Sequence, residues 1–459
     1  MCGGLIHLAS DAKEAAAYLR AVAYGVGLPQ GYGDPGHIYP HYPKALAEEI
    51  SDAWGKGVVG TKAWLASLGP VEFKHEAVPS PAFPQFPGAQ SYGIFCVAGR
   101  GIALFKLLTD AVACRETGVL WETPGKRLIA NPAGEIVGVV AEQGGKEINI
   151  KARRAVVLAT GGFEYDQELV SAFLPGWGWT FMGNPANTGD GLRMAMGAGA
   201  ALGHMPHVAA RVVAGGPIAR EIGTGIMCDI DSAGRLLVDN YGRRYINECY
   251  ASRDPERYQF YNQVVAYDIT RLEYPRIPSW FIFDERVRQR GPVTSRVFGA
   301  EVVGIYKWSS DNQAEIAKGW ILKGDTIEEL AGAVAAHPDN KRRMEPATLA
   351  STIMRFNECS RSGSDPEFGR DATSLGALSS PPFYAIAEYP GGPNTEGGPI
   401  KNARAQAISV FGHPIPRLYC VGELGSIFSF AYQAGGNIAE IIIFGQIAGK
   451  NAAAEKPWC

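Results

Sequence analysis

Residues 417–454, RLYCVGELGSIFSFAYQAGGNIAEIIIFGQIAGKNAAA, decide how this chain is read. Leu418–Val421 is an apolar run short enough for a buried strand, Gly422-Glu423 makes a turn, and a loop of small residues follows. The apolar stretch Asn437–Ala454 then reads as one helix. Because that helix opens on Gly435-Gly436-Asn437, no bulky side chain shields its first unpaired backbone N–H groups, so Gly436, Asn437 and Ile438 can meet an electron-rich ligand edge.

Working outward, Ala155–Thr160 is an apolar run bounded by glycines, the pattern of a buried parallel strand, and it ends in Thr160-Gly161-Gly162. Thr188-Gly189-Asp190-Gly191 precedes a helical stretch, Leu192–Leu202, so Thr188 or Asp190 serves as helix cap, as ligand contact, or as both. Helical spacing marks Ala12–Arg20 and Lys44–Leu68, with Trp54, Trp64 and Leu65 inward. A helix over Ile102–Thr117 leads into strands at Val119–Thr123, Arg127–Asn131, Ile136–Gln143 and Glu147–Lys151, an antiparallel meander. Gly25–Pro43 and Val78–Gly93 are Pro/Gly/aromatic loops.

Beyond Gly203 the character changes: two strands are expected around Asp231-Ser232-Ala233-Gly234, helix over Asp311–Asn357, and a proline/glycine linker over Pro381–Pro399. The expected fold class is α/β: a three-layer Rossmann-like nucleotide domain, with parallel sheet plus antiparallel meander, carrying an inserted α+β capping domain. The expected bounds are 1–203 and 382–459 for the nucleotide domain and 204–381 for the insert.

Composition excludes several classes. A net charge of −3 over 459 residues, without a run of like charge, gives no field for nucleic acid. No apolar stretch approaches a bilayer span and no signal-peptide pattern opens the chain, so the expectation is a cytoplasmic protein without an integral membrane segment. The eight cysteines show no C-x-x-C and no histidine at metal spacing, which points to reduced, mostly buried thiols and no metal site. His204 and His207 flank Pro206, which disfavours a helical ligand pair and leaves them as hinge or pocket histidines.

The GEL, GGN and FG-x-IAG blocks, with Val156–Phe163 (VVLATGGF) and Asn187–Leu192 (NTGDGL) upstream in the same order, resemble the fumarate reductase / succinate dehydrogenase flavoprotein / 3-ketosteroid dehydrogenase family of FAD-binding oxidoreductases. The resemblance covers the whole chain and is concentrated in these motifs and in Gly242–Asp254. It implies FAD as cofactor, with Thr160, Gly161 and Gly162 at its adenosine half and Thr188, Gly189 and Asp190 beside the flavin. It also implies that Gly422 and Glu423 lie at a sugar-chain hydroxyl, and that Gly435, Gly436, Asn437 and Ile438 meet the pyrimidine edge. Members open with a strand and a G-x-G-x-x-G turn. This chain opens Met1-Cys2-Gly3-Gly4, similar to the Ser-Gly-Gly stretch that follows that unit, so Gly3 and Gly4 are expected near FAD and the start is expected to be shortened.

The implied activity is hydride transfer between flavin N5 and a CH–CH bond adjacent to a carbonyl, 3-ketosteroid dehydrogenase-like or enone reductase-like. Arg253 matches the proton-donating arginine of fumarate reductases, with Glu248 and Asp254 nearby in sequence; its other reading is an Arg–carboxylate clamp. Tyr432 is similar in placement to acid/base tyrosines of the steroid branch, or else packs on the flavin. Where fumarate reductases carry a carboxylate-binding histidine and arginine, this chain has Asn394 and Gln433, which disfavours a dicarboxylate. Phe428, Phe430, Tyr432, Tyr384 and Tyr389 suit a small hydrophobic carbonyl substrate instead. The alternatives are a fumarate- or urocanate-type carboxylate reductase and, in another class, an FAD-poor fragment or scaffold. The electron partner stays open.

Overall fold

The computed structural model describes residues 3–29, 31–32, 44–76, 81–295, 300–301, 304–428 and 432–458. The expectations placed on Met1, Cys2, Phe430, Cys459, most of Gly25–Pro43 and the start of the Val78–Gly93 loop lie outside them. The chain forms two compact units, one of Leu174–Pro185 with Ala210–Pro393, the other of Cys2–Phe173, Ala186–Ala209 and Asn394–Cys459.

The second of these units is built on helices around short sheets. Asp11 caps the helix Ala12–Tyr24 by accepting from the Lys13 and Glu14 N–H groups, and Gly25 ends it in the left-handed region. The helix Lys44–Leu68 buries Ile50, Trp54, Val58, Thr61 and Leu65, one stripe at helical spacing. Trp54 is fully buried in a core shared with Ile6, Leu19, Leu104, Tyr419, Ile442 and Phe444. That core joins both ends of the sequence: Leu5–Ala9 pairs antiparallel with Tyr92–Val97, and the His7 N–H donates to the Gly435 carbonyl at 3.0 Å.

The parallel element is a three-residue pair, Val156–Leu158 against Leu418–Cys420, with Gln406–Ile408 antiparallel on the far edge of Pro414–Cys420. Only Val156 and Leu158 of the short strand are buried; Val157, Ala159 and Thr160 are exposed, so the run is not covered on both faces as its composition suggests. The meander has three strands, Gly125–Ala130, Ile136–Gln143 and Lys146–Lys151. The fourth, expected at Val119–Thr123, is a turn with Trp121 exposed, since no partner strand takes up its backbone groups.

The other unit is organised by Phe383–Gly392. This ten-residue strand is buried along its whole length and pairs with Arg211–Ala214 on one side and Ser279–Asp284 on the other. Leu322–Gly324 and Thr180–Phe181 add to it, and Arg235–Val238 continues the sheet beyond Ser279–Asp284. Its core holds Trp280, Phe281, Phe283, Ile353 and Phe356.

The expectation of a proline/glycine linker over Pro381–Pro399 is therefore corrected: most of that stretch is the unit's central strand. Burial of both faces removes the polar–apolar alternation by which a strand is recognised. It also moves the unit's far end to Pro393, against the expected 381, while Thr180–Phe181 joins the sheet from well before residue 204. Of the two strands expected around Asp231–Gly234 only Arg235–Val238 forms, and the Asp311–Asn357 stretch is three helices interrupted by the strand Leu322–Gly324. Among the described residues no helix is long and apolar enough to cross a membrane.

Candidate functional site

In the helical unit, the strand Pro414–Cys420 delivers Gly422 and Glu423 at its end, and the last helix, Gly436–Ala454, begins thirteen residues after Glu423. Its N-cap is Gly435, at φ +87°, and no side chain caps it. A Cβ on Gly435 would come within 2.8 Å of the His7 nitrogen, so only glycine permits both the left-handed turn and this packing. Asn437 does not cap the helix. Its side chain instead donates from Nδ2 to Glu396 Oε1 at 2.9 Å. The Gly436 N–H is taken up by the Gln433 carbonyl at 2.9 Å, while no side chain caps the N–H groups of Asn437 and Ile438, which have the positive end of a nineteen-residue helix behind them.

Glu423 belongs to a cluster that spans the unit's sequence. Asn187 Nδ2 donates to Glu164 Oε1 at 2.6 Å and to Glu423 Oε1 at 3.2 Å. Thr395 Oγ1 accepts from the Phe163 N–H at 3.1 Å and donates to Glu164 Oε2 at 3.0 Å. Burial pushes the Glu164 carboxyl above its ordinary range, and burial together with the Glu164 charge pushes Glu423 further in the same direction. Two adjacent carboxyls in a poorly solvated setting favour the protonated form of the pair.

Beside it, Glu396 is fully buried and burial pushes its carboxyl up to about 8. Its Oε1 accepts from Asn394 Nδ2 and Asn437 Nδ2, while Oε2 has no hydrogen-bond partner. Further along, Lys401 Nζ donates to Glu440 Oε1 at 2.5 Å and to the Gly425 carbonyl at 2.7 Å. Ser426 Oγ and the Ile427 N–H donate to Glu440 Oε2 at 3.2 and 3.1 Å. This buried pair fastens the 425–427 loop to the second turn of the last helix, and so fixes the loop that follows Glu423.

The glycines of the motifs serve the chain's own packing. A Cβ on Gly162 would collide with Thr395, Glu164 and Glu423 side-chain oxygens, and one on Gly161 with the Asn187 carboxamide. The close approach they permit is thus that of the acid cluster to the strand end. Gly4 lies against the Arg100–Gly101 backbone, Gly422 against Ile441, and Gly436 against the Phe428 ring, whereas Gly3 is partly exposed. Thr188 Oγ1 donates to Asp190 at 3.0 Å, and both are exposed. The cap of the helix Asp190–Gly197 is Gly189, so neither Thr188 nor Asp190 has that role. Thr160 is exposed at the strand end; Ile438 is partly buried against the core.

Tyr432 is partly buried and meets Phe428 edge-on at 6.3 Å between ring centres. Its expected companions Tyr384 and Tyr389 lie in the other unit and are committed there, Tyr384 to Glu285 at 2.7 Å and Tyr389 to Asp339. Arg253, in that unit too, is half-exposed and pairs with Asp371 at 2.8 Å, a hydrogen bond that raises its pKa. Neither neighbour named for it in sequence is its partner: Glu248 is buried between Arg244 and Arg370, and Asp254 pairs with Arg257. His204 and His207 stack at 5.9 Å, and burial lowers them to about 4 and about 3, so both are neutral. Four of the six described cysteines are buried and all six are free thiols. Among the described residues no group of three or more His, Cys, Asp or Glu could hold a metal ion.

Glu164, Thr395, Glu396, Lys401 and Glu440 were not legible as site residues. The available signal was an acid directly following an apolar glycine-ended strand, Glu164 after Phe163, where no solvated face is expected.

An uncapped helix start, a strand-end carboxylate and an orphaned buried carboxylate oxygen together fit a large polar ring ligand such as FAD. Comparison with known proteins agrees. The chain is 29% identical over 385 residues to 4-oxocyclohexanecarboxylate 2-dehydrogenase of Sinomonas cyclohexanicum, covering 78% of this chain and 62% of that one. It is 29% identical to the probable fumarate reductase Ifc3 of Shewanella frigidimarina (strain NCIMB 400), covering 71% and 49%. The chain thus spans less than two thirds of the length of these relatives. In fold it is similar to 3-ketosteroid delta1-dehydrogenase from Sterolibacterium denitrificans, with a TM-score of 0.76 at 20% identity over 98% of this chain and 92% of that one. With residues 85–438 matching it, the chain belongs to the FAD binding domain family, and its cofactor is FAD.

Proposed function

We propose that this chain acts as an FAD-dependent oxidoreductase on a CH–CH bond adjacent to a carbonyl, in the manner of 3-ketosteroid dehydrogenases or enone reductases, on a small hydrophobic carbonyl substrate. The observation that carries this reading is the uncapped start of the last helix, set in the same unit as the buried Glu164–Asn187–Glu423 cluster. When bound, FAD supplies the hydride acceptor or donor. Gly435, Gly436, Asn437 and Ile438 would hold its electron-rich edge, where the helix dipole stabilises added negative charge. Gly422 and Glu423 would hold a sugar-chain hydroxyl, with Thr160–Gly162, Thr188–Asp190 and Gly3–Gly4 as further contacts. Tyr432 and Arg253 are the groups proposed to exchange the substrate proton at a carbon next to the carbonyl.

A carboxylate reductase is the rival, favoured by the likeness to fumarate reductases. Against it stand the residues at the two diagnostic positions. Asn394 is spent on the Thr395 carbonyl and Glu396, and Gln433 is neutral. A dianion would meet neutral groups in place of cations at these two positions; each charge-assisted hydrogen bond forgone is worth about 1.5–3 kcal/mol.

The test is anaerobic mixing of the FAD-loaded protein with a saturated 3-ketosteroid and, separately, with succinate. Bleaching of the flavin band by the ketone alone supports the reading; bleaching by succinate, or reoxidation of the reduced form by fumarate, supports the rival. Protein that takes up no FAD would favour the scaffold alternative.

A further inference from the structure

Gln433 lies two residues before Gly435 and is 3% exposed. Its Oε1 accepts from the Tyr18 hydroxyl at 2.9 Å and from the Ala82 N–H at 2.9 Å. A backbone N–H can only donate, so the contact with Ala82 fixes which end of the carboxamide is oxygen. Tyr18 is itself held, since its hydroxyl accepts from the Phe83 N–H at 3.1 Å. The side chain therefore cannot turn over without losing these bonds, and its Nε2 is a buried donor with no hydrogen-bond partner.

A buried amide donor left unpaired costs about 1–3 kcal/mol, and buried polar groups without partners are few in folded proteins. Here the orphan lies two residues before Gly435, the N-cap of the last helix, whose first turn no side chain caps. The Gly436 N–H donates to the Gln433 carbonyl at 2.9 Å, which ties the residue to the first turn of the uncapped last helix. Both features present neutral N–H groups, and the carboxyl reached through Asn437 is Glu396, which burial pushes up to about 8. This combination selects a neutral acceptor. A carboxylate would gain uncharged donors and no counter-ion from these groups.

We propose that Gln433 is a specificity-determining residue whose Nε2 donates to a neutral carbonyl oxygen of a bound ring, either the substrate's ketone or a pyrimidine carbonyl of the flavin. The inference rests on the oxidoreductase reading above and adds to it the residue that rejects carboxylates. It also gives the replacement of arginine by glutamine a positive role.

The test is Gln433→Glu, which keeps an oxygen facing Tyr18 and Ala82 and replaces the donor by an acceptor. FAD affinity is measured by fluorescence quenching and ketone affinity by the difference spectrum of the loaded protein with 1,4-androstadiene-3,17-dione. If the flavin carbonyl is the acceptor, FAD affinity falls at least about tenfold; if the ketone is, FAD affinity holds and ketone affinity falls by that factor. Gln433→Ala, which introduces no charge, must show the same loss. Variants that melt like the wild type and bind both FAD and ketone within about twofold of it overturn the proposal while leaving the oxidoreductase reading standing. Wild-type protein that takes up no FAD removes both.

Discussion

Glu164 and Glu423, far apart in sequence, share one donor: Asn187 Nδ2 reaches Glu164 Oε1 at 2.6 Å and Glu423 Oε1 at 3.2 Å. The Glu423 carboxyl is thus tied through Asn187, from the second motif, to the acid that directly follows the first. Replacing Glu423 with Ala should weaken FAD binding about tenfold, the loss of one buried hydrogen bond. Asn187→Ala should lower stability by about 1–3 kcal/mol, because two neighbouring carboxyls lose their common donor. Equilibrium dialysis and denaturant titration measure the two effects; an unchanged FAD affinity in Glu423→Ala would remove that residue from the site.

Lys401 and Glu440 form a buried ion pair that fastens the 425–427 loop to the last helix. Lys401→Met leaves the Glu440 charge without its counter-ion and should cost roughly 3–5 kcal/mol, whereas the double variant Lys401→Met/Glu440→Leu should recover part of that loss. A double variant no more stable than the single one would show that the pair is not the source of the cost.

Glu388 gives a pH prediction away from the cofactor. It is fully buried in the central strand Phe383–Gly392, neither oxygen has a hydrogen-bond partner, and burial pushes its carboxyl up to about 8, with the Cys228 thiol as neighbour. The folded chain therefore holds a proton that the unfolded chain releases above its ordinary pKa of 4.5. The stability this contributes is complete below about pH 4.5 and is lost as pH rises towards about 8. In Glu388→Gln the slope should flatten, with a melting-temperature gain over wild type that grows from about pH 4.5 to about pH 8 and then levels off. A gain that is the same at every pH would contradict the assignment.

Arg253 separates stability from chemistry. Its pair with Asp371 is half-exposed on both sides, so Arg253→Ala should change stability by no more than about 0.5 kcal/mol. Turnover should nevertheless fall at least about 100-fold if the guanidinium delivers the proton, and Tyr432→Phe should act similarly. Wild-type turnover in Arg253→Ala would leave the arginine as a surface clamp.

Much of this fold is legible in the sequence where one face of an element meets solvent. Trp54 and Leu65 lie on a helix whose bounds, Lys44–Leu68, follow from its periodicity. Gly435-Gly436 marks the start of the last helix because glycine is the residue that tolerates both its backbone and its packing. Reading fails where burial is complete. Phe383–Gly392 looks like a linker because Pro390, Gly391 and Gly392 stand out and its buried faces leave no alternation. Glu164, Glu396 and Glu440 look like surface acids because their partners Asn187, Asn437 and Lys401 come from remote segments. Arg253 is misassigned to Glu248 and Asp254 because proximity in sequence says nothing about where the stronger cations Arg370 and Arg257 will lie.

The most direct test of the account is FAD content and response in one experiment: the purified protein is incubated with FAD, freed of excess, and titrated anaerobically with a saturated 3-ketosteroid while the visible flavin band is followed. One FAD per chain and loss of the band on adding ketone are expected, with succinate inert. Colourless protein, or a flavin band that only succinate reduces, would contradict it.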